Sequence, residues 1–100
     1  MSDVADLMQA RIALVEKLSA LNSKQLLNTQ IRSGIEIELL TCIETIERIG
    51  ESETVLKKRT ELEASYKEAA DACNACEREL NALAEDLMTL DQQIEQQMGS

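Results

Sequence analysis

The chain has 100 residues, 44% hydrophobic and 29% charged, with no Pro, no His, three Gly and one aromatic residue, Tyr66. Apolar content drawn from Leu, Ile, Val, Ala and Met, without the aromatics that strands favour, reads as long helices or coiled coil. A formal charge of −9 with no basic stripe excludes phosphate-backbone recognition and an anionic membrane surface, and points to a protein partner with a basic or apolar face.

The first fifty residues carry seven acidic and five basic side chains, and the second fifty twelve and five. The start, Met1-Ser2-Asp3-Val4-Ala5-Asp6, is acidic and amphipathic rather than a signal peptide. No apolar run is long enough to span a bilayer. Three cysteines and no export signal predict reduced thiols and a cytoplasmic protein. Gly99-Ser100 reads equally as a natural end or a cloning remnant.

From residue 3 to residue 49, apolar residues recur at alternating steps of three and four, the helical signal. The stripe runs Val4, Leu7, Arg11, Leu14, Leu18, Leu21, Gln25, Asn28, Arg32, Ile35, Leu39, Cys42, Ile46, Ile49, and ten of its fourteen positions are apolar. Ser33-Gly34 lies inside this arm and marks a candidate kink. One residue further round sit Met8, Ile12, Val15, Leu26, Leu40 and Ile43, so the apolar surface is wider than a two-helix seam requires. A third helix, a second copy or a client is expected to cover it.

Residues 50–52 form the turn. Gly50 suits the left-handed residue that ends a helix, and Ser52 suits the next N-cap, followed by acidic Glu53. The second arm, 53–97, has its stripe at Val55, Arg59, Leu62, Tyr66, Ala69, Cys73, Cys76, Leu80, Leu83, Leu87, Leu90 and Ile94, eleven of twelve apolar. Leu56, Ala70, Ala84 and Met88 lie one residue further round. Each arm is about 70 Å long at the usual helical rise. The expected fold is therefore all-α, one domain over residues 1–100, an elongated antiparallel hairpin turning at Gly50. The alternative is a second arm broken near Asp71–Asn74, where Asn74 stands three residues before Glu77 as in a capping box, giving a three-helix bundle.

Folding the chain at its midpoint sets Leu14 against Leu87, Leu18 against Leu83, Leu39 against Leu62 and Ile46 against Val55. The polar seam residues Gln25, Asn28 and Arg32 then face Cys76, Cys73 and Ala69, small partners that leave them room to bend toward water. Polar residues in a seam fix its register at some cost in stability.

Nothing in the sequence suggests catalysis. The usual general base, His, is missing, and there is no Gly-rich phosphate loop or metal-ligand cluster. Acidic pairs such as Glu85-Asp86 read as solvated helix faces. Cys73-Asn74-Ala75-Cys76 has the spacing of a redox or zinc motif. No strand precedes it, Cys42 is the sole further Cys or His, and both cysteines lie on the stripe, where thiols act as small hydrophobes. No catalytic residue, cofactor or metal is expected. Lys57-Lys58-Arg59 reads first as a solvated face beside Glu61 and Glu63, and second as a contact for an acidic surface.

Leu56-Lys57-Lys58, then Cys76-Glu77-Arg78-Glu79-Leu80-Asn81-Ala82, then Asp86-Leu87, resemble tubulin-binding cofactor A. Val15-Glu16-Lys17-Leu18 is similar to that family's first helix, and Asn74 stands where the family commonly has Pro before its third. The resemblance covers about two-thirds of the chain. It implies a cytosolic, cytoskeleton-associated chaperone, a monomer or small homo-oligomer, that captures β-tubulin during folding and heterodimer assembly without nucleotide or covalent chemistry. The partner-binding residues it implies are Lys57, Lys58, Glu77, Arg78 and Asp86. The competing expectation is a structural coiled-coil subunit whose wide stripe pairs permanently with other helical chains.

Overall fold

A computed structural model describes residues 3–99; Met1, Ser2 and the Ser100 of the terminal pair lie outside the described residues. Two helices account for almost all of it, α1 (Val4–Ile49) and α2 (Glu53–Gly99), with no strand among the described residues. With no Pro to interrupt either repeat, both helices continue as far as their caps allow.

Those caps are specific. At the start of α1, the Asp3 carboxylate accepts a hydrogen bond from the Asp6 backbone N–H at 2.9 Å, satisfying one of the orphan donors of the first turn. The helix ends where Gly50 adopts φ of 92°, with its N–H still bonded to the Ile46 carbonyl at 2.9 Å. Glycine reaches that conformation without the Cβ clash that other residues meet. Two residues later the Ser52 hydroxyl accepts from the Val55 N–H at 3.2 Å, capping α2. Arg48 in the last turn of α1 and Glu53 in the first turn of α2 complement the helix dipoles. The all-α class and the turn at Gly50 are as the sequence predicts.

The break proposed near Asp71–Asn74 is absent, because α2 is helical throughout that stretch. Asn74 is exposed, so its amide meets water instead of competing for backbone groups, and no Pro removes a donor there. Ala69, Cys73 and Cys76 continue the seam on the inner face, each buried. Residues 33 and 34 likewise remain inside α1. A glycine there costs helix propensity but breaks no backbone hydrogen bond.

Burial follows the two stripes closely. Of the 26 stripe positions, 25 are buried or half-buried, and Ile49 alone is exposed. Ile49 is the last residue of α1, and its mirror position, Ser52, belongs to the turn, so no α2 side chain stands opposite. The helices pack in two units, and in each a segment of α1 lies against a segment of α2. One unit comprises the described part of Met1–Gln25 with Cys76–Ser100, and the other is Leu26–Ala75, which contains the turn.

In the first unit, the Arg11 guanidinium pairs with Asp91 at 2.7 Å and the Cys76 thiol points at the Leu21 carbonyl at 3.6 Å. Residues that rise along α1 therefore meet residues that fall along α2, which is the antiparallel sense. In the second unit, the Cys42 thiol meets the Val55 carbonyl, also at 3.6 Å. All three contacts fall within one helical turn of the mirror register.

The seam is thin. Among the described residues, seven hydrophobic ones are buried, three of them cysteines, and no large side chain is fully enclosed. Cys73 and Cys76 are the most deeply buried of the seven, at 3% exposure each, because small side chains let two helices approach closely. The chain exposes 7492 Å², whereas a compact monomer of 11.1 kDa exposes about 5,700 Å². The two helices thus leave about 1,800 Å² uncovered that a packed domain of this mass would bury.

Candidate interaction surface

The uncovered surface is unequally divided between the helices. Among the described residues, twelve large hydrophobic side chains are exposed, nine on α1 and three on α2. Along the flank next to the α1 stripe, Met8 and Val15 are 41% exposed, Ile12 and Leu40 54%, and Leu26 62%; Ile43 is half-buried. On α2 the corresponding positions hold fewer large exposed residues. Leu56 is only just exposed and Ala70 half-buried, with Ala84 and Met88 exposed. The added apolar face is therefore mainly a property of α1.

Charge divides the same way. Between its first and last residues α1 has six acidic and five basic side chains, and α2 has eleven and five. No acidic residue occurs from position 17 to position 35. Several hydroxyls on α1 are satisfied internally: Ser23, Thr41 and Thr45 donate to the carbonyls of Ser19, Ile37 and Thr41, at 3.2, 3.0 and 2.9 Å. A helix with fewer charges than its neighbour and self-satisfied hydroxyls loses less when water is removed from it.

Three exposed residues, Leu27, Ile31 and Ile37, fall outside both stripes, and sequence reasoning by heptad missed them. The signal was present in another form. Residues 18–31 contain a single charged side chain, Lys24, which marks a helix that is uncharged on several faces at once.

The seam's polar residues behave differently from expectation. Gln25, Asn28 and Arg32 are half-buried, but the Gln25 Oε1 and the Asn28 Nδ2 are buried rather than turned out to water, and the Asn28 nitrogen has no hydrogen-bond partner. The small residues predicted opposite them explain this, since a long amide fills the gap that a cysteine leaves. On the side of α1 away from the apolar flank, Ala20 and Ala82 leave a second gap. There an open groove of about 520 Å³ has Leu21 and Leu83 in its walls, with Lys17, Lys24 and Glu79 also lining it.

The five residues implied by the family resemblance are all exposed. Lys57 and Lys58 belong to the Leu26–Ala75 unit, and Glu77, Arg78 and Asp86 to the other, so they form no single cluster within either. Lys58 lines a shallow groove with Glu38, Thr41 and Thr45. Arg59, next in sequence, is half-buried and pairs with Glu63 at 2.9 Å along its own helix.

Cys42, Cys73 and Cys76 are buried thiols outside any disulfide. Among the described residues, no three His, Cys, Asp or Glu side chains are grouped so as to hold a metal ion, and no helix is long and apolar enough to cross a membrane. No protein-family model matches the chain, and neither a curated protein nor a solved structure matches it.

Proposed function

We propose that this chain is a non-enzymatic helical subunit that binds protein, with the apolar flank of α1 as its contact. The observation that carries this reading is the row of exposed large hydrophobic residues along the α1 flank, Met8, Ile12, Val15, Leu26 and Leu40, against Leu56 and Met88 at the same offset on α2, on the helix with the lower net charge. Exposed apolar surface of this extent marks an interaction site more often than a free surface.

Two partners follow from different observations. The resemblance of residues 56–58, 76–82 and 86–87 to tubulin-binding cofactor A supplies β-tubulin, held during folding and heterodimer assembly. The unbroken helices and uncovered α1 flank favour instead a structural coiled-coil subunit that pairs with other helical chains, and the geometry supports this second reading better. Surface plasmon resonance of the purified chain against β-tubulin separates them. Micromolar or tighter binding that is lost in Ile12→Lys with Leu40→Lys supports the chaperone reading. If wild-type chain ignores tubulin, that reading is wrong and the scaffold reading replaces it. Binding unchanged by the double substitution removes the α1 flank from the account.

A further inference from the structure

We propose that the open groove at Ala20 and Ala82 docks an acidic amphipathic helix of another protein, with one large aliphatic side chain set between the alanines and a carboxylate on each of Lys17 and Lys24. The contact lies within the unit formed by the described part of Met1–Gln25 with Cys76–Ser100. It is on the side of α1 away from the apolar flank and stands or falls separately from that flank.

The groove comes from residue size. Ala20 and Ala82 are exposed, while Leu21 and Leu83 beside them are half-buried, so two short side chains open a depression of about 520 Å³ with leucine walls. A side chain the size of leucine fits such a hole between helices, as a knob does in a coiled coil.

Charge selects the partner. Lys17 and Lys24 line the groove from α1, and seven residues of helix place them about 10.5 Å apart on one face. The residues three and four away from them are Ala13, Leu14, Ala20, Leu21, Leu27 and Asn28, so neither lysine has an acidic helical neighbour. The ion pairs among the described residues, Arg11–Asp91 and Arg59–Glu63, involve neither. Glu79 is the carboxylate that lines the groove, against two ammonium groups, and the groove is therefore locally cationic in a chain of net −9. A partner with acids beside its apolar knob is attracted here and repelled by most of the remaining surface, which fixes both site and orientation.

The lysine spacing calls for a helix. Carboxylates three residues before and four after a leucine, as in Glu-x-x-Leu-x-x-x-Glu, repeat the seven-residue interval. A single-carboxylate ligand reaches one lysine only, and an open groove does not enclose a small molecule as a ligand pocket does. A second copy of this chain lacks the segment. Its acids seven residues apart are Glu44 and Glu51, Glu61 and Glu68, and Glu79 and Asp86. Glu51 lies beyond the end of α1. Ala64 and Ser65 occupy the knob positions of the second pair, and the knob of the third, Leu83, is already in the groove wall.

Fluorescence anisotropy of a labelled, lactam-stapled peptide with Glu-x-x-Leu-x-x-x-Glu in an alanine-rich helix, titrated with the full chain, tests the proposal. Saturable binding that weakens with added salt is expected. Lys17→Gln with Lys24→Gln, or Gln for both peptide glutamates, should weaken it about tenfold. Ala20→Met with Ala82→Met places longer side chains at exposed positions to fill the groove, and should abolish binding with far-ultraviolet circular dichroism unchanged. Ile12→Lys with Leu40→Lys should leave binding intact. No saturable binding up to millimolar chain overturns the proposal, as does a Gln peptide that binds as tightly as the Glu peptide. Binding lost in the Ile12 and Leu40 variant but kept in the filled groove also overturns it, and leaves the protein-binding reading of the α1 flank standing. A wild-type dimer in sedimentation equilibrium that the filled groove converts to monomer would give the groove to a second copy. Decanoate that binds there as tightly as the peptide would give it to a lipid acid, and either result overturns the proposal.

Discussion

The same substitution, Gly to Ala, should have opposite effects at positions 34 and 50, and backbone conformation alone decides the sign. A Cβ built at either glycine meets nothing within 4 Å, so packing contributes to neither. Gly34 lies inside α1 with no positive φ, and replacing an exposed interior glycine by alanine stabilises a helix by about 0.8–1 kcal/mol. Gly50 has φ of 92°, where an L side chain is strained by about 1–2 kcal/mol. For a chain of this size each kcal/mol moves the melting temperature by about 4–8 °C. Thermal unfolding followed by far-ultraviolet circular dichroism should therefore show Gly34→Ala melting several degrees above wild type and Gly50→Ala several degrees below. A fall at position 34 would mean that Ser33-Gly34 is a working kink after all. No change at position 50 would mean that the left-handed turn is not what ends α1. Either result refutes the helix boundaries on which the register depends.

Asn28→Leu should raise the urea midpoint, because it removes a buried amide nitrogen without a partner, worth about 1–3 kcal/mol; a fall would show that the amide is satisfied in solution. Cys73→Ala with Cys76→Ala should cost about 1–3 kcal/mol in total and leave partner binding intact. Binding lost without loss of fold, or stoichiometric zinc in the purified protein by atomic absorption, would give the thiols a role beyond packing. Charge reversal at the exposed residues Lys57 and Lys58, or at Glu77 and Asp86, should change stability by about half a kcal/mol or less each. Any effect on tubulin binding should appear in the association rate and its salt dependence, and none in either variant would exclude the residues taken from the family resemblance.

Much of the fold was legible because heptad spacing in a Pro-free chain has few alternatives. A stripe of apolar residues at steps of three and four must face something, and Gly50 followed by Ser52 leaves one place for the chain to reverse. Residues that obeyed the stripe while being polar, such as Arg59 and Arg32, were placed correctly because position on the helix outweighed side-chain character. The false break at Asp71–Asn74 came from reading Asn74 and Glu77 as a cap. A capping pair acts only where the helix has already ended, and the Ala and Cys residues around it are good seam fillers. Asp3 was overlooked for the opposite reason. A terminal Asp three residues before Asp6 was read for its charge, and its role as N-cap lay in the side-chain oxygen.

The interaction surface was legible in part. Met8, Ile12, Val15, Leu26 and Leu40 stood out as surplus to the seam, but the imbalance between the helices appeared only once burial distinguished the α2 residues at the same offset. A partner's identity is written in neither helix, since aliphatic and charged residues at helical spacing are shared by many chains that bind many things.

Methionine oxidation tests the central claim most directly, because Met8 lies on the α1 flank and Met98 near the end of α2, both exposed in the single chain. The chain would be treated with dilute peroxide alone at low concentration and again in its assembled form, and sulfoxide at each position followed by mass spectrometry. The account predicts that assembly slows oxidation of Met8 several-fold and leaves Met98 unchanged. Met8 oxidised at its free rate in the assembled form, with protection confined to α2, would contradict it.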